Sequence, residues 1–144
     1  MSWPSYVLVV GLLCVSLAVA LQAQSQQRQE SVYAELGKAP PKFQQMQNPL
    51  AKDPDAAVAG GILFEEHCES CHGKEAVGGK KAPTLRAMEV RNAPPGAIFW
   101  ILSNGVVRKK MPVWSKLPEP ERWQLVSYIE ALNGEAHPVE SSTR

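Results

Sequence analysis

A chain of 144 residues with 20% charged side chains and a net charge of +1 has room for one domain and lacks the excess of positive charge that nucleic-acid binding favours. The charge is nevertheless uneven. Nine basic residues (Lys74, Lys80, Lys81, Arg86, Arg91, Arg108, Lys109, Lys110 and Lys116) stand against Glu75 and Glu89, so this segment carries +7 and the remainder −6. They do not interleave with aromatics as a nucleic-acid surface would. The asymmetry fits either a docking face for an acidic partner or loops carrying solvated lysines.

The first element is the apolar run Ser5–Ala23, near the lower limit for spanning a bilayer. "MSWPS" before it has no Lys or Arg and the apolar stretch is long, which favours a retained anchor over a cleaved signal peptide. Ala18-Val19-Ala20 nevertheless offers a cleavage site. Either way residues 1–23 act as a leader or anchor and the rest is exported. Cys14 follows Leu13, too bulky for a lipoprotein cleavage box, and reads as an ordinary buried residue.

Residues 24–52 come next. Eight glutamines between Gln22 and Lys52, several prolines and little periodicity read as a linker, or else as an extension packed on the domain. A short helix is possible around Glu30–Leu36.

The domain proper is expected over 53–136, with a tail at 137–144. At about 80–90 residues it buries a small core and calls for a staple such as a disulfide, metal or cofactor. Three helical patterns occur in it and no segment alternates with period two. Asp53-Pro54 starts the first, by N-cap and first-turn proline, with Val58, Ile62, Leu63, Phe64 and Cys68 continuing toward Cys71. The second, "PPGAIFWILSNG", stops at Asn104-Gly105. The third, "EPERWQLVSYIEALNG", carries Trp123, Val126, Ile129 and Leu132 on one stripe, broadened by Leu125 and Tyr128. The expected class is all-α, three main helices with long loops.

Within the first helical region lies Cys68-Glu69-Ser70-Cys71-His72. A zinc site needs a fourth ligand, and structural sites supply it from a second paired motif, which is lacking here. A thioredoxin-type pair belongs in a βαβ setting, whereas these surroundings are helical. Covalent haem attachment needs nothing further: the two thiols add to the porphyrin vinyl groups and the adjoining imidazole meets the iron. One haem c also supplies the missing staple. His67, just before the motif, reads as a surface histidine facing away from the iron.

The opposite axial position has several candidates. His137 lies beyond the last helix, Met46 in the 24–52 stretch, and Met88 in a charged loop. Met111 stands in "RKKMPVW", between the second and third helices and stiffened by Pro112, and is the favoured ligand with Met88 as the fallback. A methionine alone would read as core filler; its place in the order of elements decides otherwise.

"GGILFEEHCESCHG", "GGKKAPTL", "NGVVRKKMPVW" and "ERWQLVSYIEAL", in that order, resemble a bacterial class I c-type cytochrome from about Ala56 to Asn133. The resemblance implies that Cys68 and Cys71 form thioethers, that His72 and Met111 are the axial ligands, and that the Pro83 carbonyl accepts a hydrogen bond from the proximal imidazole. It also implies a close crossing of the first and last helices at Gly60, Phe64, Tyr128 and Leu132. Trp100, Trp114 and Trp123 would line the haem pocket, with core packing an equal alternative for Trp123. The leader and the glutamine-rich stretch are not part of the family core.

A six-coordinate His/Met haem exchanges electrons rather than binding substrate. The expectation is therefore a periplasmic one-electron carrier, anchored or released, with acidic redox partners and no small-molecule substrate. It would run between a dehydrogenase or quinol-oxidising complex and an oxidase or other acceptor. The alternatives are a haem subunit of a dehydrogenase or respiratory complex, and a sensor or enzyme with an open iron position. "MPVW…L…ERW" is similar to small cytochrome domains that accept electrons from dehydrogenases or feed oxidases.

Overall fold

The computed structural model describes residues 10, 14–24 and 33–133. They fall in two units, Met1–Ala34 and Glu35–Arg144. In the first, residues 14–24 are helical, with Val15, Leu17, Val19 and Leu21 all exposed. Among the described residues no helix is long and apolar enough to cross a membrane. Most of Met1–Leu13 lies outside them, as do His137 and the rest of the expected tail.

The second unit is built on three helices: α1 (Pro54–His67), α2 (Pro95–Asn104) and α3 (Glu119–Asn133). Single helical turns at Pro41–Gln44, Glu69–His72 and Met88–Arg91 punctuate the loops. The all-α expectation is borne out; the nearest thing to sheet among the described residues is an isolated antiparallel bridge between Val106 and Met111. Asp53 caps α1, its Oδ1 accepting from the Asp55 N–H at 3.0 Å, and Pro54 occupies the first turn, where its missing N–H costs nothing. Gly105 ends α2, its N–H reaching the Ile101 carbonyl at 2.7 Å.

α1 crosses α3 in close contact, with the small residues of α1 at the centre. A Cβ at Gly60 would strike the Gln124 backbone carbonyl and come within 2.9 Å of Tyr128 Cβ, so only glycine permits this approach. Ala56 and Phe64, one turn away on either side, complete the buried stripe, and Phe64 meets the Tyr128 ring at 5.0 Å. Burying such a phenylalanine contributes about 2–3 kcal/mol. Val58 and Ile62, on the helix as expected, are 67% and 65% exposed. The close crossing selects the face with the least side chain, and that turns the larger aliphatics outward.

α2 packs on α3 through Phe99 and Trp123, stacked at 4.2 Å and 15°. Trp123, Val126 and Ile129 of the expected stripe are buried, with Leu125 beside them, while Leu132 and Tyr128 are half-buried. Trp123 is thus a core residue.

Residues preceding α1 lie against these helices. The Gly96 N–H donates to the Met46 carbonyl at 3.2 Å, and the Phe43 and Phe99 rings stack at 6.4 Å. Buried Asn48 donates to Ser127 Oγ at 2.9 Å and to Glu130 Oε2 at 2.7 Å. Of the possible helix at Glu30–Leu36, residues 30–32 lie outside the described ones, and a single 3₁₀ turn runs over Leu36–Lys38.

Candidate haem site

α1 does not run through to Cys71. It ends at Cys68, whose φ of −120° breaks the helical path, and one further turn, Glu69–His72, follows. That turn carries Cys71 and His72 on from Cys68, and Gly73, at φ +79°, ends it. The two cysteines are not bonded to each other.

His72 is buried, and its Nδ1 lies 3.0 Å from the Pro83 carbonyl oxygen. A carbonyl only accepts, so Nδ1 carries the proton and Nε2 keeps its lone pair. Burial lowers the pKa of the imidazole, partly opposed by that hydrogen bond, and so favours the neutral form. A metal ligand must be neutral in this way.

The loop supplying Pro83 folds back tightly. Gly78 N–H donates to the His72 carbonyl at 2.7 Å, and Gly78 sits at φ +76°, where a Cβ would collide with the Thr84 nitrogen and lie 2.5 Å from the Pro83 carbonyl carbon. Thr84 Oγ1 donates to the Ala76 carbonyl at 3.2 Å. Lys81 Nζ, from the basic segment, reaches the Ser70 carbonyl between the two cysteines at 3.3 Å.

Cys68, Cys71, His72 and Pro83 therefore form one cluster. Trp114 joins it through His67, the two rings lying 5.1 Å apart, so His67 is packed under an indole rather than pointing free. Trp114 N–H also donates to the Leu102 carbonyl at 3.0 Å, holding this loop on α2. The other expected pocket residues are Met111 and Trp100. Both are half-buried; Trp100 is on α2, and Met111 pairs with Val106 through reciprocal backbone bonds of 3.1 and 3.2 Å. Met88, the fallback, is 61% exposed at the start of its helical turn. Gly78, Thr84 and the His67–Trp114 contact were not legible in sequence, because each acts through a fold-dependent neighbour.

The donor set fits a haem. Burial and the neighbouring Cys71 charge push the Cys68 thiol up to about 11, which leaves it protonated near neutral pH and a poor redox nucleophile. Among the described residues no group of three or more His, Cys, Asp or Glu side chains is arranged to hold a metal ion. Two thiols and an oriented imidazole on one turn suit a planar group that bonds to the thiols and takes nitrogen at its centre.

Residues 55–129 match the family described as cytochrome c oxidase, cbb3-type, subunit III. The chain belongs to that family. It is similar to the cbb3-type cytochrome c oxidase subunit CcoP of Rubrivivax gelatinosus, 32% identical over 90 residues. That match takes in 61% of this chain but only 30% of the relative's length. The family member described here is thus a c-type cytochrome domain, with haem c as cofactor and electron transfer as its work.

Proposed function

We propose that this cytochrome domain moves single electrons through one haem c, bound covalently at Cys68 and Cys71 and ligated by His72 and Met111. It works outside the cytoplasm, held at the membrane or released, between a dehydrogenase or quinol-oxidising complex and an oxidase. The observation that carries the reading is the buried His72, on the turn of the two cysteines, with Nδ1 committed to Pro83 and Nε2 left to donate.

A haem iron with both axial positions filled supplies one-electron exchange without an open site for substrate. The chain's own residues prepare this. Pro83 orients the imidazole and makes it a stronger donor. Trp114, half-buried against His67, and half-buried Trp100 would wall the pocket with apolar surface, which disfavours extra charge on the ferric iron. The basic segment, touching the attachment turn through Lys81, favours partners that are acidic around their redox centres. Such contacts are small and weaken with salt.

The family description and the CcoP relative favour the oxidase end of the route, with the domain serving as an electron-transfer subunit. The exposed aliphatics of residues 14–24 suit an apolar leader or anchor. The test is to produce the chain in a host that attaches haem, then measure its mass and titrate it potentiometrically. One haem that survives denaturation, lost in a Cys68→Ser/Cys71→Ser variant, and a single one-electron wave are expected. Haem extractable by acid and solvent from the wild type would refute covalent attachment.

A further inference from the structure

Arg86 stands apart from the other basic residues in what it holds. Its Nε donates to the Glu75 carbonyl at 2.6 Å and its Nη1 to the Leu132 carbonyl, in the last turn of α3, at 3.2 Å. Charge-assisted bonds to two carbonyls of separate segments are geometrically demanding, and a cation suits the carbonyl end of a helix. The Arg86 N–H donates to Thr84 Oγ1 at 3.1 Å, while that hydroxyl donates to the Ala76 carbonyl. Leu85 N–H adds a bond to the same carbonyl at 2.8 Å. Residues 75–76 and 84–86 are thereby clamped together and to α3. Pro83, whose carbonyl receives the His72 Nδ1 proton, is the residue immediately before this clamp.

We propose that Arg86 and Thr84 are positioning residues for the axial imidazole: they hold the Pro83 carbonyl on His72 Nδ1–H and so set how strongly Nε2 donates to the iron. The inference rests on the reading of His72 as ligand and adds what tunes it. Loosening the clamp weakens the hydrogen bond, makes the imidazole a poorer donor and stabilises the ferrous state relative to the ferric. The reduction potential rises. A role for Arg86 as a mere positive charge gives a different pattern, since a nearby cation disfavours ferric iron and its removal lowers the potential.

Two substitutions separate these cases because neither changes the net charge. Arg86→Lys keeps the cation but loses the fork, and Thr84→Val removes the hydroxyl at nearly constant shape. The haem-loaded proteins would be titrated for potential, and exchange of the His72 ring N–H with deuterium followed by proton NMR in the reduced state. Both variants are expected to shift to higher potential and to exchange this proton faster, by about tenfold, as for loss of one hydrogen bond. Unchanged potential and exchange in both, with the wild type histidine-ligated, overturn the positioning role alone. A His72→Ala protein that keeps the wild-type spectrum overturns the ligand reading and this proposal together.

Discussion

Gly60 and Gly61 are adjacent and identical, yet the fold treats them oppositely. A Cβ at Gly60 meets the Gln124 backbone, which has no side-chain freedom to yield; one at Gly61 meets only the edge of the Tyr128 ring at 3.4 Å. Gly60→Ala is expected to cost about 3 kcal/mol, the upper part of the range for overpacking. Gly61→Ala is expected to be neutral or to stabilise by about 0.5 kcal/mol through helix propensity. Denaturant midpoints of the haem-loaded variants check this, and equal losses at both positions would contradict the described crossing. Sequence alone could not choose between the two glycines, because the choice depends on how α1 is rotated about its axis. The resemblance to class I cytochromes pointed to Gly60 through the family's helix contact. Cys68, Cys71 and His72 stand out in the sequence for a different reason: the proposed covalent attachment demands those residues at that spacing whatever surrounds them. Arg86 and Thr84 had no such signal, since what they hold is brought near only by the folded loop.

Elements were read well where apolar residues and stop signals agreed. α2 ends at Gly105 and α3 buries Trp123, Val126 and Ile129, as their patterns indicate. The helical pattern of α1 does not by itself show its buried face: Ala56, Gly60 and Phe64 are buried, while Val58 and Ile62 face solvent. Its end differs from the expected run toward Cys71, because Cys68 leaves the helical path before the motif is complete. The stretch before α1 shows the limit of periodicity as a signal. Its grip on the domain is made by backbone groups, by Phe43 on Phe99 and by Asn48, which bonds Ser127, Glu130 and the Leu50 N–H. Asn48→Ala removes three hydrogen bonds, to buried Ser127 and to half-buried Glu130 and Leu50, and is expected to cost about 2 kcal/mol. An unchanged unfolding midpoint would mean that this stretch does not bear on the domain in solution.

At the scale of the molecule, a small core, a glycine-dependent helix crossing and two loops converge on one imidazole and two thiols. The +7 segment runs along the sequence from just after His72 to the loop after Met111, so the proposed docking face and the proposed ligands share the same stretch of chain. A carrier needs this combination: an iron closed to substrate, and a charged rim that admits a redox partner. The most direct test is carbon monoxide binding to the reduced, haem-loaded protein, with Met111→Ala beside the wild type. The account predicts a methionine-to-iron band in the oxidised wild type and no reaction with carbon monoxide on reduction. Met111→Ala should lose the band and bind the gas. Ready binding of carbon monoxide by the wild type would contradict the account and mark the iron as an open, ligand-binding site.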